Sequence, residues 1–177
     1  MAVKQQMKDK IGTAFYQANL SKPPQWQQTF KLRYLDAILK ESMRCCPVIP
    51  FGLERVVPPG GIILEDRFIP EGTLLECHIE ALRNDRAVYG EDGEVFRPER
   101  WLTTDTQRRR RMEQGLLEFD IGRRISPGVF VAWIELKKAA ALMILNFDFH
   151  AQRDRDLNIT AYHDLPPLMV SFSQRVH

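Results

Sequence analysis

Phe119-Asp-Ile-Gly-Arg-Arg-Ile-Ser-Pro-Gly128 is the stretch on which the fold of this chain turns. Gly122 and the polar residues around it interrupt any regular element, so Phe119–Ser126 reads as a loop. The residues that follow are largely apolar through Asn146, and Pro127–Asn146 reads as a long helix. Ser is a favoured N-cap and Pro is favoured at the first helical position, so Ser126 and Pro127 mark the helix start. Two shorter motifs precede the loop. Glu41-Ser-Met-Arg44 sets a carboxylate and a guanidinium three residues apart, on one helix face. Phe96-Arg-Pro-Glu-Arg-Trp101 carries a second guanidinium, Arg100, in a proline-stiffened loop.

Outward from these motifs the pattern is mixed. Residues 3–19 predict a modest helix, with Met7, Ile11 and Phe15 at four-residue spacing. Thr29–Arg44 predicts a stronger one, with Leu32, Leu35, Ile38 and Leu39 in one stripe. Pro47 ends it, because proline disfavours helical geometry at the residue before it. From Leu53 the period becomes two. Leu53–Val57, Ile62–Leu64, Arg67–Ile69 and Thr73–His78 predict an antiparallel meander, with turns at Pro58–Gly61 and Pro70–Gly72. A polar stretch follows, with a short helix near Ala81–Asp85 and another over Gln107–Leu117. Alternation at Leu168, Val170 and Phe172 predicts a hairpin within residues 151–177. The class is α+β, mainly helical, in one domain over residues 1–177.

Composition narrows the function. The 177 residues are 44% hydrophobic and 27% charged, which fits a folded domain rather than a disordered chain. A chain of this length buries about 70% of its unfolded surface. Twenty-five basic and 23 acidic side chains give a net charge of +2, too balanced to imply nucleic acid as a partner. Three irregularly spaced cysteines, Cys45, Cys46 and Cys77, argue against a disulfide framework. His78, His150, His163 and His177 have no metal-ligand spacing. Glu135, Lys137 and Lys138 interrupt the most apolar segment, and the first 30 residues hold no apolar run, so neither anchor nor signal peptide is expected. The basic run Arg108–Arg111 reads as a solvated helix face, since Glu113 and Glu118 lie close by.

The order of the motifs resembles the C-terminal part of the cytochrome P450 haem–thiolate monooxygenases, and the fungal secondary-metabolism type most of all. Tyr34–Arg44 is similar to the family's Glu-x-x-Arg helix. Leu53–Gly61 and Ile69–Thr73 resemble its small sheet, and Tyr89–Asp92 with Phe96–Trp101 resembles its segment before the haem loop. Phe119, Gly122, Arg124 and Gly128 match the pattern Phe-x-x-Gly-x-Arg-x-Cys-x-Gly. The resemblance implies a haem cofactor, with Arg124 and Arg55 as partners of its propionates. It also implies that Glu41, Arg44 and Arg100 form an ion network. Such a network is strongly stabilising to keep intact when buried and worth little when open to solvent.

The cysteine of that pattern is Ser126 here. In the family the cysteine thiolate is the axial iron ligand, and its electron donation favours oxygen–oxygen cleavage. A neutral hydroxyl is a poor substitute, so Ser126 is read first as a helix cap and second as a weak ligand of the haem iron. The family's central oxygen-handling helix, its substrate-binding helices and its membrane anchor also have no counterpart in this sequence. The expectation is a truncated, degenerate member, a pseudoenzyme without autonomous monooxygenase activity. The alternatives are a fragment of a longer haem-binding monooxygenase with impaired activity, or a haem-free protein that binds a hydrophobic metabolite or a partner, or promotes a non-redox step by shape. Apolar helix faces are expected to stay exposed and to seek a protein partner or a second copy. NADPH–cytochrome reductase is implied only if catalysis survives. The family sits on the endoplasmic reticulum; without the anchor, the cytoplasm is the default.

Overall fold

The computed structural model describes residues 9–15, 18–49, 52–151 and 170–174. Residues 9–15 are helical, within the first expected helix; Met7 lies outside the described residues. The expected helix from Thr29 is divided in two, α1 (Trp26–Phe30) and α2 (Arg33–Cys45). Leu32, at φ −79° and ψ 82°, leaves helical geometry between them. The break lets its side chain pack with Ile11, Phe15, Tyr34 and Leu35 in a buried cluster. Helix α2 ends as Pro47 requires, with Cys46 already non-helical at φ −134°.

Four short strands follow: β1 (Leu53–Val56), β2 (Ile62–Leu64), β3 (Arg67–Ile69) and β4 (Leu74–Cys77). They do not form the expected meander. β2 pairs with β3, whereas β1 pairs with β4 from Leu53↔Cys77 to Val56↔Leu74, so one hairpin is nested inside another. Two local features cause this. Glu65 and Asp66 both take positive φ (45° and 63°), the geometry of a tight two-residue hairpin turn. The Val57 amide then bonds the Thr73 carbonyl at 2.9 Å, and the Gly72 amide bonds the Val57 carbonyl at 3.0 Å, extending the outer ladder.

Helices α3 (Ile79–Arg83) and α4 (Arg86–Tyr89) come next, then a 3-10 turn at Pro98–Leu102 and α5 (Thr106–Gln114). The first of these starts before the expected Ala81 because His78 caps it, its Nδ1 accepting the Ala81 amide at 3.2 Å. Regular geometry in the long helix α6 (Val129–Asn146) begins at Val129 rather than Pro127. Pro127 and Gly128 instead form a turn. Ser126 Oγ still accepts the Gly128 amide at 3.2 Å, the kind of bond an N-cap makes. The hairpin expected within residues 151–177 is displaced: β6 (Val170–Gln174) pairs with β5 (Phe147–Ala151), which directly follows α6, with Phe149 opposite Phe172. Leu168 lies outside the described residues.

Helix α6 buries Ala141 against the first cluster. Its buried Lys137 sits among rings: the ammonium lies 5.9 Å from Trp26, 5.2 Å from Phe30 and 5.4 Å from Trp133. Asp36 Oδ1 accepts from it at 2.7 Å. The charge therefore ties α6 to α1 and α2. Other positions of α6 remain open, Phe130 most of all at 80% exposure, as expected of its apolar face.

Lys137→Ala removes the cation from the rings and leaves Asp36 with Lys40 at 3.2 Å. Because a partner remains, the expected loss is about 2 kcal/mol rather than the full cost of a stranded buried charge. Urea unfolding of the 177-residue chain measures it. An unchanged midpoint would mean that apolar contact alone holds α6.

Candidate functional site

The three residues singled out as an ion network meet in the interior. The side chains of Glu41 and Arg100 have no exposed surface, and that of Arg44 has 1%. Glu41 and Arg44 come from successive turns of α2, and Arg100 from the 3-10 turn that packs across it. Arg44 Nε donates to Glu41 Oε2 at 3.0 Å and its Nη2 to Oε1 at 2.9 Å, a two-pronged contact. Arg100 Nε donates to the same Oε1 at 3.1 Å. The Arg97 amide adds a bond to Oε1 at 2.7 Å, and Trp101 Nε1 one to Oε2 at 2.9 Å.

The remaining guanidinium hydrogens all find acceptors. Arg44 reaches the carbonyls of Arg83, Gly93 and Val95. Arg100 reaches those of Tyr89, Asp92 and Val95, and the Asp92 carboxylate at 3.3 Å. Buried charges stay charged only when satisfied in this way. Burial opposes ionisation of Glu41, but the bonds from Arg44, Arg97 and Trp101 outweigh it and hold the carboxyl below the ordinary carboxylate range. For Arg44 burial likewise favours the neutral form, and Glu41 reverses the balance. Of the two expectations for this network, buried or open to solvent, the buried one holds.

The loop from Phe119 is shaped by its own backbone. Asp120 and Gly122 take left-handed geometry, φ 64° and 65°. The Ser126 amide returns to the Phe119 carbonyl at 2.8 Å, closing the loop. Arg124 lies exposed on a 3-10 turn spanning Gly122–Arg124, and Ile121 and Ile125 are exposed beside it. Arg55 reaches this loop from β1, but its guanidinium is engaged there by the Asp120 carboxylate. Asp120 is held below the ordinary carboxylate range first by the Ile121 amide, with Arg55 and Arg124 adding to the effect against a smaller opposing desolvation.

The cysteines stand elsewhere. Cys45 closes α2, its Sγ 3.1 Å from Arg44 Nη2. Burial pushes its thiol up to about 11, so it is protonated at neutral pH. Cys46 is also raised by burial. Cys77 ends β4, opposite Leu53. Among the described residues no group of His, Cys, Asp and Glu could hold a metal ion, and no helix is long and apolar enough to cross a membrane.

A buried Glu-x-x-Arg–Arg network, two nested two-stranded sheets and a Phe-x-x-Gly-x-Arg loop leading to a long helix together mark one family of haem proteins. The family model for cytochrome P450 matches residues 2–168, and the chain belongs to that family. It is 38% identical over 141 residues to the cytochrome P450 monooxygenase mfmA of Annulohypoxylon moriforme, covering 79% of this chain and 27% of that protein. It is 38% identical over 144 residues to a cytochrome P450 monooxygenase of Aspergillus terreus, covering 80% and 29%. With the cytochrome P450 monooxygenase esdpH of Penicillium shearii the figures are 38% over 133 residues, 75% and 26%. The chain thus spans well under a third of the length of these relatives.

Membership implies haem as cofactor. The surroundings of the loop partly suit one: exposed Ile121 and Ile125 offer an apolar surface, and Arg124 an exposed guanidinium for a carboxylate. The donor does not suit it. Ser126 offers a neutral hydroxyl already accepting the Gly128 amide, and no thiol takes part in the loop's hydrogen bonds among the described residues. No reaction step through a haem iron follows from this donor set. The sequence reading missed Asp120, although an acid two residues before Gly122 is visible in the motif. It also missed Trp101 and Asp92, whose parts in the network depend on which atoms face Glu41 and Arg100.

Glu41→Gln keeps the shape but strands two guanidiniums, and the expected loss is about 3 kcal/mol at neutral pH. The sign of its pH dependence follows from the lowered carboxyl. Its contribution is complete above the unfolded value, about 4.3, and is lost as pH falls through the folded one. Unfolding curves taken from pH 7 downwards should therefore converge for the wild-type and Glu41→Gln chains. Parallel curves would remove Glu41 as the source of acid sensitivity.

Proposed function

We propose that residues 1–177 act as one degenerate cytochrome P450 unit that does not perform thiolate-supported monooxygenation by itself. The single observation behind this is Ser126 at the cysteine position of the Phe-x-x-Gly-x-Arg-x-Cys-x-Gly pattern. A thiol ionises near pH 8.5 and lower still at a helix N-terminus, whereas a serine hydroxyl remains protonated at neutral pH. In this reading Ser126 would offer a haem iron only a poor ligand in place of a thiolate. Arg124 and Arg55 would pair with the propionates, a role supported by the match to the family's loop pattern, and Phe119, Gly122 and Gly128 would frame the loop. Glu41, Arg44 and Arg100 keep their structural task, which is independent of the iron. Ser126 carries the proposal equally for these residues alone and for the same residues inside a longer polypeptide.

A second reading, a haem-free binding protein, is favoured by one contact. The Arg55–Asp120 pair satisfies the guanidinium without a propionate. The family's reductase, and its place at the endoplasmic reticulum, come to this chain only if haem is bound and reduced. Self-association through the open face of α6 is the corresponding proposal for the haem-free chain, because large exposed apolar patches mark interfaces.

Absorption spectra of the chain titrated with haem, then reduced under carbon monoxide, separate these readings. Ser126→Cys is expected to give a thiolate-type carbon monoxide band and the unmodified chain none. Asp120→Asn, which frees Arg55, is expected to increase haem uptake if a weak site persists. Uptake by none of the three chains would favour the haem-free reading. A thiolate-type band from the unmodified chain would overturn the proposal.

A further inference from the structure

Between α4 and α5 lies a cavity of about 330 Å³ that neither the ion network nor the haem loop uses. Arg86 enters it from α4, and Arg108 and Arg111 from α5. Three residues apart on a helix, Arg108 and Arg111 share a face, and like charges so placed repel. Among the described residues neither has a carboxylate within ion-pair distance. Arg86 meets Glu91 at 3.3 Å, but both side chains are largely exposed and such pairs are weak.

One carboxylate belongs to the lining, Asp105. Its Oδ1 is committed to capping α5, accepting the amides of Gln107 at 2.9 Å and Arg108 at 3.0 Å. The guanidinium of Arg108 lies across Gly90, where a Cβ would meet Nη2 at 3.3 Å. Gly90 also has φ 92°, so a larger residue there would be both strained and crowded by that guanidinium. The walls therefore bring three guanidiniums to one concavity, where the single lining carboxylate, Asp105, interacts with both Arg108 and Arg111 and leaves the cleft with an excess of positive charge.

We propose that this cleft binds a phosphoryl group, either as a small soluble phosphate ester or as a lipid headgroup. The planar guanidinium fork donates two parallel hydrogen bonds and matches phosphate oxygens. The cavity is many times the roughly 30 Å³ share of one water, leaving room for the phosphate and part of what carries it. A concave wall favours such a compact anion over an acidic protein segment, which would also engage Arg109 and Arg110, neither of which lines the cleft. The site is independent of Ser126, and Ser126→Cys is expected to leave it unchanged.

Calorimetric titration of the 177-residue chain with inorganic phosphate, at low salt and with folding confirmed by circular dichroism, tests the site. Saturable binding is expected. Removing Arg108 and Arg111 together, as Gln, should weaken it about a hundredfold, about tenfold for each charge-assisted contact. The paired control Arg109→Gln with Arg110→Gln, on the same helix, should change it less than about threefold, because neither residue lines the cleft and charges acting from outside it are screened by solvent and salt. Glycerol phosphate and vesicles containing phosphatidic acid then distinguish a soluble ester from a headgroup. Equal weakening by the two double variants would overturn the proposal, reducing the site to a diffuse basic helix. So would an absence of saturable binding by the folded chain at millimolar phosphate, or binding of a poly-glutamate peptide with no phosphate binding.

Discussion

The Glu41 carboxylate accepts five hydrogen bonds, from Arg44, Arg100, Trp101 and the Arg97 amide, and lies entirely out of solvent. An ion so placed is tolerable only while every partner is present. Its partners in turn collect backbone carbonyls from Arg83 to Val95, a segment with little regular structure of its own. That stretch has few ladder or helical bonds to fix its path. Guanidinium donors supply the missing ones, so a short polar connection acquires a defined course. The second cluster of buried side chains, Ala37, Tyr89, Trp101 and Met112, closes over the same place. Arg44 lies against the ring of Tyr89 at 5.1 Å, so the apolar cluster and the charge network share an edge.

The rest of the chain is arranged around a different cluster, where α6 meets α1 and α2. Lys137 is the polar counterpart of Glu41 there, a buried cation held by a carboxylate and three rings. Between the two centres the long helix is fixed along one side only. Its other side, and the nested sheet with Phe68 65% exposed, present apolar side chains outward. A scaffold of this kind stabilises its core without covering its faces, consistent with a matched region that is a fraction of the length of its relatives.

At the loop, the chemistry departs from the scaffold. The backbone geometry of a tight, helix-leading loop is intact, with left-handed Asp120 and Gly122 and a closing bond from Ser126 to Phe119. Its one carboxylate is settled internally, since Asp120 engages Arg55, while Arg124 stays exposed. What is altered is the atom at the centre, oxygen in place of sulfur. A fold stabilised by Glu41 and Lys137 does not depend on that atom, which explains how the architecture persists with the donor changed.

Residue order alone determined the family, the helix of Glu41 and Arg44, the turn-bounded strands, the final strand at Val170–Gln174 and the serine in the loop. These depend on local propensity and on motif spacing, both written along the chain. Tertiary structure decided the rest. Helix geometry breaks at Leu32 because that side chain is worth more in the core than in a continuous helix. The strands nest rather than run in sequence, since Glu65 and Asp66 make a tight turn and the outer ladder then closes through Val57. The Glu-Arg-Arg group is a buried network rather than a set of surface pairs, because burial depends on which segments pack over it. Likewise, the engagement of Arg55 by Asp120 and the convergence of Arg86 with Arg108 and Arg111 join side chains far apart in sequence, and only the path of the folded backbone brings them together.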